Sequence, residues 1–150
     1  MSELTHIDAD GEARMVDVSA KPEQAREATA RGEIRLAAAT LNAVESGDTA
    51  KGNVLATARL AGIMAAKKTA ELIPLCHPLP ISHAEVCFEI PASRDRIIIT
   101  ASARISARTG VEMEALTAVS TAALTIYDMC KAIDREMVIS EIKVTSKTKR

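Results

Sequence analysis

Aromatic residues are nearly missing from this sequence, which has one Tyr, one Phe and no Trp among 150 residues. Proteins that read single-stranded nucleic acid usually stack its bases on aromatic side chains, so the composition excludes that class. An excess of basic residues is missing too, because the formal net charge is -1. We therefore expect no nucleic-acid partner.

Long apolar runs are also missing, and the longest run of apolar residues and glycine covers residues 60–66. A membrane-spanning helix needs about 20 apolar residues, so we expect no membrane partner. Acidic residues precede any apolar stretch at the N-terminus, which predicts no signal peptide. The three cysteines form no CxxC motif and cannot all pair, which favours a reduced, cytoplasmic protein.

Hydrophobic residues are abundant at 47%, beside 26% charged residues, so the chain can bury a core. Much of this apolar content is alanine, which occurs 27 times. Small side chains favour closely packed helices, strands and subunits. The length fits one domain. We predict a flexible N-terminal segment over residues 1–14 and a single folded domain over residues 15–150.

Alternating apolar and polar residues over 84–90 and 96–108 predict a β-hairpin. Residues 24–36 fit either a strand or a helix. Periodicity predicts three helices and a last strand: helices over 36–45 and 54–72, a helix from an N-cap at Thr109 to about Ile133, and a strand over 137–145. With a strand at 24–36, this order is that of a ferredoxin-like α+β domain. Helices would cover one face of an antiparallel sheet, and the other face predicts an oligomer.

Asp128 and Lys131 lie three residues apart on the long C-terminal helix, so their side chains are neighbours. A surface ion pair is one interpretation. The surrounding residues are mostly apolar or small, which favours partial burial instead. Burial lowers the pKa of a lysine and a neighbouring aspartate opposes that shift, so a partly buried lysine beside a carboxylate is a plausible proton donor.

Glu112 and Glu114 lie at the start of the same helix. Glu112 fits a capping box with Thr109, whereas Glu114 has no capping role. Both carboxylates are suitable acceptors for the N–H groups of a guanine-like edge. Glu114 and Asp128 are 14 residues apart, which is about 21 Å along a helix. If both ends are functional, the site must combine ends from two subunits.

Cys76 and His77 lie in a segment with three prolines within seven residues, which holds the backbone stiff. Together with His83 they have poor spacing for zinc, so we expect no metal. A rigid turn that presents a histidine fits a substrate contact better. Lys51 precedes a helix, where anions are attracted, although the residues that follow it do not complete a P-loop.

Four stretches together resemble one family, the cyclic pyranopterin monophosphate synthases, or molybdenum-cofactor biosynthesis protein C family. These stretches are MVDVS at 15–19, KGNV at 51–54, AAKKTAELIPLCHPL at 65–79 and TGVEMEALTAVSTAALTIYDMCKA at 109–132. The resemblance implies a ferredoxin-like subunit in a homo-hexamer, a trimer of dimers, with active sites between subunits. It implies the substrate 3',8-cyclo-7,8-dihydro-GTP, supplied by a radical SAM enzyme, and a reaction without a cofactor.

The resemblance also implies roles for individual residues. Lys131 and Asp128 match catalytic residues, and Lys51 matches a further catalytic or phosphate-contacting lysine. The implied substrate-binding residues are Leu75, Cys76, His77, Glu112, Met113, Glu114, Arg26, Lys67 and Lys147. The family usually continues with a glycine-rich basic tail, whereas here Thr148-Lys149-Arg150 follows Lys147. The alternative function is a non-catalytic module that binds a nucleotide between subunits.

Overall fold

The computed structural model describes residues 4–150 and has an α+β architecture. The elements are β1 (Gln24–Arg35), α1 (Ala38–Ser46), α2 (Val54–Lys67), α3 (Thr69–Leu72), β2 (His83–Glu89), β3 (Arg96–Ala107), α4 (Glu112–Cys130) and β4 (Val138–Lys149). The four strands form one sheet in the order β2-β3-β1-β4, and every neighbouring pair is antiparallel. Over the described residues, none of the helices is long and apolar enough to cross a membrane.

The ambiguous stretch at 24–36 is a strand, β1, at the centre of the sheet. It pairs with β3 over its whole length and with β4 on its other side. Ala28, Ala30 and Ile34 point to the buried face because side chains alternate along a strand. Gly32 lies on that face under α4, where an added Cβ would come within 2.7 Å of Val119 Cγ1. The missing side chain therefore allows α4 to lie close to the sheet.

Helix α2 packs closely against α4 through small residues. An added Cβ at Gly62 would lie 3.0 Å from the Ala118 carbonyl oxygen and 3.5 Å from Ala122 Cβ. The β2 residue Val86 is equally close to that position, at 3.0 Å. The predicted close packing of helices and strands is therefore confirmed within the subunit, because small side chains allow the two helices and the sheet to approach each other.

Replacing Gly62 with valine is expected to lower the free energy of unfolding by about 1–3 kcal/mol, because the added branches would force α2 and α4 apart. Urea unfolding followed by circular dichroism measures this change. Ala56→Val is the matched control, since Ala56 is exposed on the same helix. Equal stability of the two variants would contradict the close packing at Gly62.

The ends of α4 differ from the prediction. Val111 is the N-cap of α4 and makes no side-chain capping bond. The predicted capping box between Thr109 and Glu112 is therefore wrong. Val111 is fully buried, which fixes how the chain enters the helix. At the other end, the helix stops at Cys130, and Ile133 is exposed rather than buried. The Cys130 carbonyl accepts bonds from the next turn instead of continuing the helix.

The predicted helix over 54–72 is also divided into two elements, α2 and α3. The N–H of Lys68 bonds to the Ala65 carbonyl in a tighter turn, which interrupts the α-helical bonding pattern. Thr69, which is buried, begins α3. The interruption lies just before the proline-rich segment.

Asp134 is a buried carboxylate that joins the end of α4 to the start of α1. Its Oδ2 accepts bonds of 2.9 Å from the Ala37 N–H and the Thr40 hydroxyl, and its Oδ1 accepts one of 3.0 Å from the Glu136 N–H. Ala37 is the N-cap of α1 and has no side chain that could cap it. Asp134 therefore supplies from a distant segment the cap that α1 lacks.

Asp134→Asn is expected to lower the free energy of unfolding by about 1.5–3 kcal/mol at neutral pH, because hydrogen bonds to an ionised group are lost. These bonds hold the pKa of Asp134 below its ordinary value of 3.8, despite burial. Ionised Asp134 therefore stabilises the folded protein at pH values above the ordinary pKa. This stabilisation is lost as pH falls through the lowered pKa of the folded state. Urea unfolding across this pH range measures the difference in the free energy of unfolding between wild type and variant, which should narrow as pH falls. Glu136→Gln is the control, and because Glu136 is exposed, this substitution should change the free energy of unfolding little.

Candidate active site

A cavity of about 780 Å³ lies between the proline-rich segment, the start of α4 and the chain before β1. Six residues that the sequence predicted as substrate contacts line it: Leu75, Cys76, His77, Glu112, Met113 and Glu114. The proline-rich segment contributes three of them, and the first turn of α4 contributes the others. The structure therefore brings together two motifs that are separated by more than 30 residues in the sequence.

Glu114 is the most buried charged group in this cavity, with 2% of its surface exposed. Its Oε2 accepts a bond from the Cys76 thiol at 3.8 Å, whereas its Oε1 has no partner among the described residues. Burial raises the pKa of Glu114, and burial beside this carboxylate raises the pKa of Cys76 to about 11. The thiol therefore stays protonated as a donor. The free oxygen is an acceptor suited to an N–H group of a ligand.

His77 lines the cavity from the proline-rich segment. Its Nε2 is 2.6 Å from the Val16 carbonyl oxygen, so this bond joins the segment before β1 to the site. Sequence reasoning assigned no role to Val16, Val18 or Lys21, which also line the cavity. The alternation in MVDVS was the signal that could have placed the two valines together.

Asp128 lies between two lysines at the other end of α4. Its carboxylate oxygens are 2.7 Å from Lys51 Nζ and 2.8 Å from Lys131 Nζ. Hydrogen bonds from Lys131 and Lys51 lower the pKa of Asp128 to about 2, and the bond from Lys131 has the larger effect. The sequence predicted the pair with Lys131, but it did not predict that Lys51, on the loop before α2, completes it.

The predicted partial burial of the Asp128–Lys131 pair is wrong for the single chain. The side chains of Asp128 and Lys131 are 53% and 57% exposed. The pKa of Lys131 is raised rather than lowered, because the hydrogen bond and charge of Asp128 stabilise its ammonium form. Within this chain, Lys131 is therefore a protonated lysine held by an ionised carboxylate.

The other predicted basic residues lie around the carboxylate end of α4. Arg26 and Lys147 line a cavity of about 210 Å³ beside Glu112, and Lys147 Nζ is 3.5 Å from Glu112 Oε1. Arg26 donates to the Ala107 and Arg108 carbonyls. Lys67 lines a third cavity of about 380 Å³, which shares Glu114 with the first. Cationic side chains therefore line two further cavities that share carboxylate residues with the first.

The two groups of functional residues lie at opposite ends of one helix. Glu114 and Asp128 are separated by 14 residues of α4, which is about 21 Å. One chain therefore presents a carboxylate cavity at one end and a lysine–aspartate–lysine group at the other. Among residues 4–150, no three His, Cys, Asp or Glu side chains form a group that could hold a metal ion.

Comparison with known proteins gives a consistent result. Residues 15–150 match the MoaC family. A relative from Roseiflexus sp. (strain RS-1) is 58% identical over 148 residues, which is 99% of this chain and 94% of the relative. A relative from Desulfitobacterium hafniense is 60% identical over 146 residues, 97% of this chain and 89% of the relative. Both are named cyclic pyranopterin monophosphate synthase.

A third relative, from Novosphingobium aromaticivorans, has the same name and is 58% identical over 147 residues, covering 98% of this chain and 92% of its own length. The match includes the start of α4, the proline-rich segment and the lysine–aspartate–lysine group, since nearly the whole chain is covered. The chain therefore belongs to the MoaC family.

Proposed function

We propose that this chain is a cyclic pyranopterin monophosphate synthase, a lyase of molybdenum cofactor biosynthesis. It converts 3',8-cyclo-7,8-dihydro-GTP to cyclic pyranopterin monophosphate and releases pyrophosphate. The observation that carries the proposal is the single cavity in which Cys76, His77 and Glu114 meet. Relatives at 56–60% identity, all named as this synthase, support it.

The cavity holds the guanine-derived ring system. Its volume of about 780 Å³ falls within the usual range for small-molecule sites. Leu75 and Met113 contribute apolar contacts in a protein that has almost no aromatic rings. The unpaired Oε1 of Glu114 accepts a ring N–H, which replaces the solvation that the buried carboxylate lost. Arg26, Lys67 and Lys147, nearby, neutralise the triphosphate.

The lysine–aspartate–lysine group supplies the acid–base chemistry. Lys131 is the main general acid, because its ammonium group, 2.8 Å from Asp128, carries the proton to be donated. The raised pKa of Lys131 in the single chain opposes this donation, so substrate binding in the complete site must weaken the hold of Asp128 on the ammonium group. Asp128 stays ionised, since its pKa is about 2, and holds both lysines in place. Lys51 assists by stabilising the charge that develops as pyrophosphate leaves.

The complete site is shared between subunits of a ferredoxin-like homo-hexamer, a trimer of dimers. The strand order β2-β3-β1-β4 with antiparallel neighbours supports the ferredoxin-like assignment. The distance of about 21 Å between Glu114 and Asp128 supports sharing, because one small ligand cannot contact both ends within a chain. Exposed apolar residues on α2 and α4 supply surface for such contacts: Leu60, Met64 and Leu124.

The chemistry of the substrate indicates which kind of enzyme must supply it. A cyclised dihydro-GTP must come from an enzyme that forms a carbon–carbon bond on GTP, and the family resemblance implies a radical SAM enzyme for this step. The reaction proposed here needs no cofactor. Cys76, Cys87 and Cys130 are all free thiols, which is typical of a reducing compartment such as the cytoplasm.

Mass spectrometry of the products tests the proposed function. The purified protein is incubated with 3',8-cyclo-7,8-dihydro-GTP, and cyclic pyranopterin monophosphate and pyrophosphate are expected in equal amounts. GTP itself is the control and should remain unchanged. If the cyclised nucleotide binds and is recovered intact, the proposal fails, and a nucleotide-binding module without catalysis is favoured.

A further inference from the structure

One wall of the 780 Å³ cavity is formed by the chain before β1, which contains no helix. We call residues 13–21 of this chain the N-terminal strap. Four strap residues line the cavity: Ala13, Val16, Val18 and Lys21. The MVDVS sequence is one of the stretches that resemble the family, but the resemblance implied no role for these residues. The strap is thus the part of the cavity that still lacks an assigned function.

The side chains of the strap alternate between the cavity and solvent. Val16 and Val18 are partly buried, whereas Met15 and Asp17 are exposed. Over the described residues, neither valine belongs to the hydrophobic core or to the partly buried residues packed against it. Core packing therefore does not explain the two apolar side chains, and they lie on the cavity wall instead.

The strap is held in place by backbone carbonyl groups at two points. The Val16 carbonyl oxygen is 2.6 Å from His77 Nε2, and the Lys21 carbonyl accepts a bond of 3.1 Å from Arg108 Nε. A turn between these points is closed by the Lys21 N–H, which donates to the Val18 carbonyl. The strap is therefore attached to the cavity by hydrogen bonds and is not part of a helix or of the β2-β3-β1-β4 sheet; at its start, Ala13 forms an isolated β-bridge with Ile7.

The Val16 carbonyl also determines the form of His77. A carbonyl oxygen can only accept a hydrogen bond, so Nε2 of His77 must carry the proton. In a neutral imidazole the other nitrogen, Nδ1, is then an acceptor. A hydrogen bond on one ring nitrogen is a common way for proteins to set the role of the other.

We propose that the cavity-facing side of the N-terminal strap is part of the substrate site. Val16 and Val18 contact one face of the ring system, and the Val16 carbonyl holds His77 with Nδ1 available as an acceptor. Aliphatic side chains take this role because the chain has only one Tyr and one Phe. Val16 is thus a positioning residue for His77. The identity of the ring rests on the proposed function.

Calorimetry tests the contact with the ring. The cyclised dihydro-GTP is titrated into the full-length protein in a Lys131→Ala background, so that turnover does not interfere. Val16→Ala combined with Val18→Ala is expected to raise Kd by at least about tenfold, because the pair loses four methyl groups and even one methylene in an apolar site contributes about tenfold or more. Met15→Ala, on the solvent side of the strap, is the matched control and should change Kd less than about twofold, within the scatter usual for exposed sites.

An unchanged Kd for the double valine variant would overturn the contact with the ring. A lower Kd would overturn it too, because it would show that the strap blocks the cavity. Circular dichroism checks that the variants are folded, which we expect because neither valine belongs to the core. If the parent protein itself does not bind the nucleotide, the proposed function fails, and the next measurement still tests the strap.

Nuclear magnetic resonance tests the hold on His77 without any substrate. Nitrogen–proton correlations of the imidazole rings, recorded at mildly alkaline pH, distinguish the two neutral tautomers. His77→Gln identifies the signals of His77 among those of the three histidines. We expect the tautomer with the proton on Nε2. A proton on Nδ1 would overturn the role of the Val16 carbonyl, whatever the activity of the protein.

Discussion

Lys131→Ala is expected to reduce the rate of product formation by about 10²- to 10⁴-fold, the usual contribution of a general acid. The substitution removes the ammonium group that donates the proton, while Asp128 keeps its bond to Lys51. Stability should change little, because the Lys131 side chain is mostly exposed. Single-turnover measurements with the cyclised nucleotide give the rate directly.

Lys143→Ala is the matched control for this experiment, since Lys143 is an exposed lysine on β4 outside the proposed site. It should keep the wild-type rate. A Lys131→Ala variant that forms product at the wild-type rate would remove Lys131 from the mechanism. In that case Lys51, the second lysine bound to Asp128, would be the remaining candidate.

The same variant also tests whether the site is shared. Lys131→Ala chains are mixed with Glu114→Ala chains after reversible dissociation, so that both occur in one oligomer. If each site takes Glu114 from one subunit and Lys131 from another, about a quarter of the sites regain both intact ends. Activity should recover to a similar fraction of the wild-type value. No recovery in verified mixed oligomers would contradict the shared site.

Glu114→Gln is expected to have opposite effects on activity and stability. Loss of the charged acceptor should lower kcat/KM by about 10- to 100-fold, because a hydrogen bond to a buried charge contributes about 1.5–3 kcal/mol. The free energy of unfolding should rise by about 1 kcal/mol at neutral pH, since an unpaired buried charge is removed. Steady-state kinetics and urea unfolding measure the two effects.

The pH dependence distinguishes this interpretation from a general packing effect. Burial raises the pKa of Glu114 above its ordinary value of 4.5, so the folded protein binds a proton more readily than the unfolded chain. The free energy of unfolding of the wild type is therefore greater at pH values below the ordinary pKa of Glu114. It decreases as pH rises through the raised pKa of the folded state. The advantage of Glu114→Gln should vanish at low pH. Glu136→Gln, an exposed carboxyl change, should show no such trend.

Local patterns in the sequence were sufficient to predict the α+β class and the position of most elements. Alternation identified the strands on either side of the hairpin turn, and the helical period identified α4. Asp128 and Lys131 could be paired because a helix brings residues three apart together. The prolines around Cys76 and His77 indicated a rigid, irregular segment, which lines the cavity.

Contacts between distant segments were decided only by the tertiary structure. Lys51 bonds to Asp128 across 77 residues, and the Val16 carbonyl bonds to His77 across 61. Glu112 pairs with Lys147 instead of capping its own helix. Local periodicity describes neighbours within one turn or one strand, whereas these contacts depend on how the segments pack together. The exposure of Lys131 has the same origin, because burial depends on what covers a helix face rather than on which residues form it.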